Sequence, residues 1–220
     1  MSILNMADKT KNPCTKYIKY GGSDGKLKYW DGEKNVNIEL KEFYLLEEMG
    51  CISGFDEKSN SGIWSNELYR TNGEFIVKSK GGEIAKGSYK DIKDQVNAAG
   101  GKYTASVYAL LNDEIVNIKF SGAGLSGWLD RPDGASKFSL SELTPAKKGA
   151  TNYFVPVFTE LKMTDSELEK VKEKAQPVAD FLGDLIAGKQ DKTPENNDAD
   201  FPEDRNETAN GKPPTEDLPF

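Results

Sequence analysis

Short alternating segments separated by tight turn signals are what most constrain this chain. Lys16-Tyr17-Ile18-Lys19-Tyr20 leads into Gly21-Gly22-Ser23-Asp24-Gly25 and then Lys26-Leu27-Lys28-Tyr29-Trp30. Two β-prone runs around a loop of residues that tolerate positive φ predict a hairpin. Residues 35–40 alternate, with Val36, Ile38 and Leu40 on one face. Residues 42–55 are mixed in character. Residues 62–67 precede a strand expected at 74–78, and Gly81-Gly82 turns the chain into 84–89. Tyr103, Ala105, Val107, Ala109 and Leu111 alternate with more polar neighbours, and Asn112-Asp113 turns them into 115–120 as a second hairpin. A last strand is expected at 152–158, where Pro156 points to a sheet edge or a bulge.

Two segments change period. Ile92 and Val96, four residues apart, predict one short helix over 90–99, stopped by Gly100-Gly101. Thr164-Asp165-Ser166-Glu167 has the form of a capping box before an amphipathic run through Leu168, Val171, Ala175, Val178, Leu182 and Leu185. Pro177 predicts a break, a kink or a second helix start within that run, and Gly188 ends it. The helix either packs on its own body or pairs with another subunit, so a homo-oligomer stays open. Strands joined by short turns around one intervening helix have the layout of an OB-fold. The expectation is therefore a mainly β chain with an OB-fold-like antiparallel β-barrel and a short internal helix over 1–163. A C-terminal helix over 164–188 and a disordered acidic tail over 189–220 follow.

Charge separates the tail from the body. Residues 190–220 hold nine acidic and three basic side chains, whereas residues 1–163 hold 21 acidic and 22 basic ones. The net charge of −7 thus belongs to the C-terminal end, and a balanced body can still present a basic groove. The tail is rich in Pro, Asn, Asp, Glu and Thr, too polar for burial to offset its ordering entropy. Such a segment mimics a phosphate chain and is expected to compete for a basic groove in the body. It finishes in Asp217-Leu218-Pro219-Phe220, an acidic and apolar tip suited to capture by a basic-rimmed apolar pocket on another protein.

Enzymatic signatures are sparse. The absence of histidine removes Ser-His-Asp and Cys-His arrangements and the commonest metal ligand. Gly122, Gly124 and Gly127 satisfy Gly-x-Gly-x-x-Gly spacing, but Arg131-Pro132-Asp133-Gly134 stops any long helix, so close backbone packing explains them better than a dinucleotide. Asp24, Asp31, Asp56 and Asp113 lie in turns, where turn chemistry accounts for them. No residue pattern calls for a cofactor or a metal. Cys14 and Cys51 are expected to be free thiols.

The stronger pattern interleaves basic and aromatic residues on predicted strands. Lys28 and Trp30, then Trp64, Tyr69 and Arg70, then Lys86 and Tyr89, and finally Lys102, Tyr103, Tyr108 and Lys119 are the candidate nucleic-acid contacts. Cations that track phosphates and rings that stack on bases are what sequence-tolerant binding of a single strand requires. Cross-strand and core packing of aromatics is the competing explanation for each ring.

Tail and body together resemble the acidic-tailed single-stranded-DNA-binding proteins of bacteria and phages. The resemblance rests on Asp217, Leu218, Pro219 and Phe220, with the acidic segment from about residue 190 as looser support. It departs from the bacterial pattern in its Asn/Glu/Pro-rich linker, in having only Glu216-Asp217 before the tip, and in its longer body. It looks more like a divergent phage member. The resemblance implies a non-enzymatic protein that binds and protects single-stranded DNA during replication, recombination or repair. Its tip would recruit proteins of those processes. A cytoplasmic location, in the bacterial host if phage-encoded, is expected, because no signal-peptide order and no membrane-length apolar run occurs. Two other readings compete: a β-rich interaction or phage structural module without nucleic-acid affinity, and a carboxylate-metal nuclease.

Overall fold

The computed structural model describes residues 10–69 and 73–188. Eleven strands and three helices follow one another as β1 (Lys16–Gly21), β2 (Lys26–Trp30), β3 (Asn35–Ile38), β4 (Phe43–Asp56), β5 (Ser61–Ser65), β6 (Phe75–Ser79) and β7 (Gly82–Gly87). Then come α1 (Tyr89–Ala98), β8 (Gly101–Leu111), β9 (Glu114–Ser121), α2 (Ala123–Leu129), β10 (Lys137–Lys148), β11 (Thr151–Glu160) and α3 (Asp165–Ile186). The chain is mainly β, as expected. The sheet differs from an antiparallel barrel in two respects. β1 runs parallel to β9, so the sheet is mixed, and the order β3-β2-β1-β9-β8-β4-β5-β6-β7 does not close. Among the described residues no helix is long and apolar enough to cross a membrane.

Both predicted hairpins form. Lys19 stands opposite Lys28 in the first. Asn112 and Asp113 take φ of 50° and 68° at the turn of the second, the twist that two-residue hairpin loops favour. Residues 42–55, mixed in sequence, are the longest strand. β4 pairs with β8 along its length, with β5 at one end and with β10 at the other. A strand with several partners is buried unevenly, so no single alternation marks it. Its bulge between Leu45 and Glu47 shifts the register midway. β10 has no counterpart in the sequence reading. Only Lys137 and Phe138 pair with β4, and the rest forms a two-stranded arm with β11. Pro156 does lie on an edge strand, since β11 pairs only with β10.

The main core gathers Ile18, Phe43, Ile52, Val77, Val107, Ile118, Phe120 and Trp128 on one side of the sheet. Trp128, fully buried, lies 5.2 Å from the Phe120 ring and 5.3 Å from that of Phe158. It gets there because α2 approaches its neighbours closely. A Cβ on Gly124 would lie 2.6 Å from the Tyr20 ring, and one on Gly127 would overlap Pro156. The glycine spacing therefore serves packing, as expected. α1 starts at Ser88, buries Ile92 and Val96, and ends where Gly100 takes φ of +93°.

α3 keeps its predicted capping box: Glu167 N–H donates to Thr164 Oγ1, and Thr164 N–H to Glu167 Oε2. It runs as one helix through Pro177, so of the expected break, kink or second start neither the break nor the second start occurs. Pro177 is exposed, as is Glu173, whose carbonyl loses its helical donor to the proline and can turn to water. Val171 before the proline and Val178, Phe181 and Leu182 after it are buried, and the latter three pack on Met49 of β4 and Tyr108 of β8. Docking thus holds the half after the proline on the sheet.

Glu167 also ties α3 to the sheet. It accepts from Tyr44 Oη at 2.6 Å and from Lys137 Nζ at 2.8 Å. The Lys137 ammonium, the Thr164 N–H and the Tyr44 hydroxyl lower its pKa from 4.5 to about 2. A carboxyl depressed by folding stabilises fully above its unfolded pKa and loses that contribution as pH falls towards the folded one. Protection of α3 amides from hydrogen exchange is expected to fall between pH 4.5 and about 2, and Glu167→Gln is expected to lack that limb. Equal pH profiles for the two proteins would contradict this anchoring.

Candidate nucleic-acid interface

The sheet's outer face, opposite the main core, is divided in two. Cross-strand pairing puts Lys28, Lys19, Lys119, Ser106 and Met49 in one row across β2, β1, β9, β8 and β4. Side chains directly opposite each other share a face. At one end of β8 this face is closed. α3 covers Met49 and Tyr108. Glu67, 3% exposed, accepts from Ser106 Oγ at 2.8 Å and Tyr108 Oη at 2.6 Å, and Asn117 Nδ2 donates to Ser106 Oγ at 2.8 Å. This network satisfies a carboxylate that burial would otherwise penalise. Burial first, and then the Glu67 charge, push the Tyr108 hydroxyl well above its ordinary pKa.

At the other end of β8 the face is open. Lys102 stands opposite Ser53, Ser53 opposite Trp64, and Trp64 opposite Lys78. Lys102 and Lys78 are exposed and Trp64 is half-buried. Lys86 lies opposite Ile76, one strand further out and exposed. On the other flank Trp30 follows two residues after Lys28 and so shares its side, half-buried. Carboxylates are present on this face as well: Asp24 pairs with Lys28 at 2.7 Å, and Glu83 lies opposite Lys78.

Between these flanks is a cavity of about 100 Å³. Lys19, Lys102 and Lys119 line it with Ser53 and Ser121, Gly54 and Gly100 form part of its wall, and none of its lining residues is acidic. Lys119 is 9% exposed. Gly54 and Gly100 are required here, because a Cβ on Gly54 would overlap the Gly100 carbonyl and one on Gly100 the Phe55 carbonyl.

The structure therefore brings together Lys28, Trp30, Trp64, Lys86, Lys102 and Lys119 on one face. It removes two predicted rings. Tyr103, 6% exposed, points into the main core with Phe75 at 6.2 Å. Tyr108, 2% exposed, lies under α3. Neither offers a ring face to a base. Tyr89 is half-buried against Tyr103, with centroids 5.1 Å apart, and belongs to the edge of that core. Tyr69 is 48% exposed beyond Glu67, apart from the lysine cavity. Arg70 and the tip residues Asp217, Leu218, Pro219 and Phe220 lie outside the described residues. Lys19, Lys78 and Ser53 were not among the predicted contacts. Lys19 could have been found from the hairpin, whose symmetric turn puts it opposite Lys28.

The turn carboxylates behave as turn residues. Asp31 accepts from the Glu33 and Lys34 N–H groups, which lower its pKa. Asp56 accepts from Ser59 and Ser79 hydroxyls at 2.6 and 2.9 Å, which lowers its pKa too. Asp113 pairs with Lys170. Among the described residues no three His, Cys, Asp or Glu side chains group as metal ligands. No family, curated protein or solved structure matches the chain.

Proposed function

We propose that the protein binds single-stranded DNA with little sequence preference, on the open half of the outer sheet face. One observation carries the reading: lysines from β1, β2, β7, β8 and β9 share that face with Trp30 and Trp64 while α3 closes its other half. Ammonium groups a few strand spacings apart can follow a phosphate chain, and the tryptophans offer ring faces to bases. A half-covered sheet admits a flexible strand more readily than a rigid duplex. The run β4 to β7, then α1, then the hairpin β8–β9 returning antiparallel to β4 supports an OB-fold-like body. The acidic segment with its Asp217-Leu218-Pro219-Phe220 tip would recruit replication, recombination or repair proteins, in a non-enzymatic role in the cytoplasm.

A mobility-shift titration with single-stranded DNA, RNA and duplex oligonucleotides tests this. Single strands of different sequence are expected to bind alike, and affinity is expected to fall steeply with salt as counterions are released. Equal preference for duplex would overturn the single-strand reading, and no binding at all would favour a protein-interaction module. Metal-dependent degradation of the strand would favour a nuclease.

A further inference from the structure

We propose that the β10–β11 arm is a second contact element for the single strand, which it carries past the end of the sheet. The inference rests on the single-strand reading of the open face and extends it. The arm leaves the body at the end where that face opens. Tyr20, which lines the cavity beside Lys102 and Ser53, donates its hydroxyl to the Phe154 carbonyl at 2.9 Å. Phe154 N–H donates at 2.8 Å to the carbonyl of Gly22, in the turn between β1 and β2. A Cβ on Gly25 of the same turn would lie 2.7 Å from Leu143. Leu143, Phe154 and Pro156 thus share the side of the arm that packs on the body. Tyr153, Val155 and Val157 point to the other side. Val157 is 38% exposed, Tyr153 and Val155 are half-buried, and none of the three belongs to either core cluster.

The backbone narrows the partner. Phe154 N–H points away from β10, so its opposite residue Pro145 and, two residues on, Pro156 also turn their nitrogens outward. Prolines there leave both edges of the arm without a donor, which disfavours addition of another β-strand. A partner must therefore meet side chains. Gly149, at φ of 58°, closes a two-residue loop between Lys148 and Thr151, and exposed Lys147 and Lys148 form the tip beside it. From residue 143 to residue 159 there is no acidic side chain. Two such tips repel each other, which favours a polyanion over a second copy of the chain. Cations at the tip and a partly exposed ring behind them repeat the pairing of phosphate tracking with stacking found on the open face. Residues 151–157 span about 20 Å at the rise of a strand, so the arm lengthens the path well beyond Lys102.

The test titrates the full chain against single-stranded oligonucleotides of about 4 to about 16 nucleotides, the range of site sizes for one OB-fold. Lys147→Gln combined with Lys148→Gln is expected to bind the shortest like the parent, because the open face alone holds it. On the longest, its slope of log affinity against log salt is expected to be shallower by about 1.4, two phosphate contacts at about 0.7 each. Tyr153→Ala is expected to lose about 5- to 150-fold on the longest only, and Tyr153→Phe to recover most of that. Equal losses at every length, or none at any, would overturn the arm's role and leave the open face standing. Sedimentation of the same variants tests the competing occupant. Self-association that the arm variants abolish, with strand binding unchanged, would assign the arm to a second copy and overturn the proposal. Failure of the parent to bind any length removes the single-strand reading, and the arm's role with it.

Discussion

Trp64→Ala is expected to weaken binding of a single-stranded oligonucleotide by about 5- to 150-fold, the equivalent of one stacked base at about 1–3 kcal/mol. Trp64 lies between Ser53 and Lys78 on the open face and is half-buried, so part of its ring packs on the sheet while part faces outward. Trp64→Phe is expected to recover most of the loss, because it keeps a ring face. The salt dependence separates this effect from the lysines' contribution. A ring contributes no counterion release, so the slope of log affinity against log salt should be unchanged in Trp64→Ala and shallower in Lys102→Gln. Fluorescence anisotropy of a labelled oligonucleotide at several salt concentrations measures both. An alanine variant that binds like the parent would remove Trp64 from the interface.

How far the sequence foretold this site turns on parity and on cover. Alternation along β8 assigns Lys102 and Tyr108 to one face and Tyr103 to the other, so Tyr103 and Tyr108 could not both line one groove. That much was available from residue numbers alone. Which half of a face stays open was not. Tyr108 and Lys102 share a face, yet one is 2% exposed and the other is exposed. The difference is made by α3, more than fifty residues later in the chain, and by Glu67, whose burial no local pattern signals. The hairpins were legible because their turn residues act locally. β4 and β10 were not, because β4's character comes from several partners and β10 extends as an exposed arm along β11. Pro177 misled for a similar reason. Its helix-breaking tendency is intrinsic, while the docking of Val178, Phe181 and Leu182 that overrides it is tertiary.

Glu48→Ala is expected to destabilise the fold by about 3–5 kcal/mol, the cost of removing one partner from a buried ion pair. Glu48 stands opposite Val107 on the core side of β4 and pairs with Arg131, the two side chains being 12% and 16% exposed. The guanidinium lies 4.0 Å above the Trp128 ring and donates from Nη1 to the Trp128 carbonyl at 2.7 Å. It thus caps the C-terminal end of α2, where a cation is favoured, while Glu48 ties that cap to the central strand. Without the carboxylate, a desolvated cation is left against the aromatic cluster. For a chain of this size the loss corresponds to a fall in Tm of about 6–20 °C. Replacing both residues together, Glu48→Met with Arg131→Met, is expected to restore most of the stability, since well-packed apolar side chains of similar volume often equal a buried pair. Thermal unfolding of the two single variants and the double variant closes the cycle. Additive losses would mean that the two charges contribute independently and that the pair does not join α2 to β4.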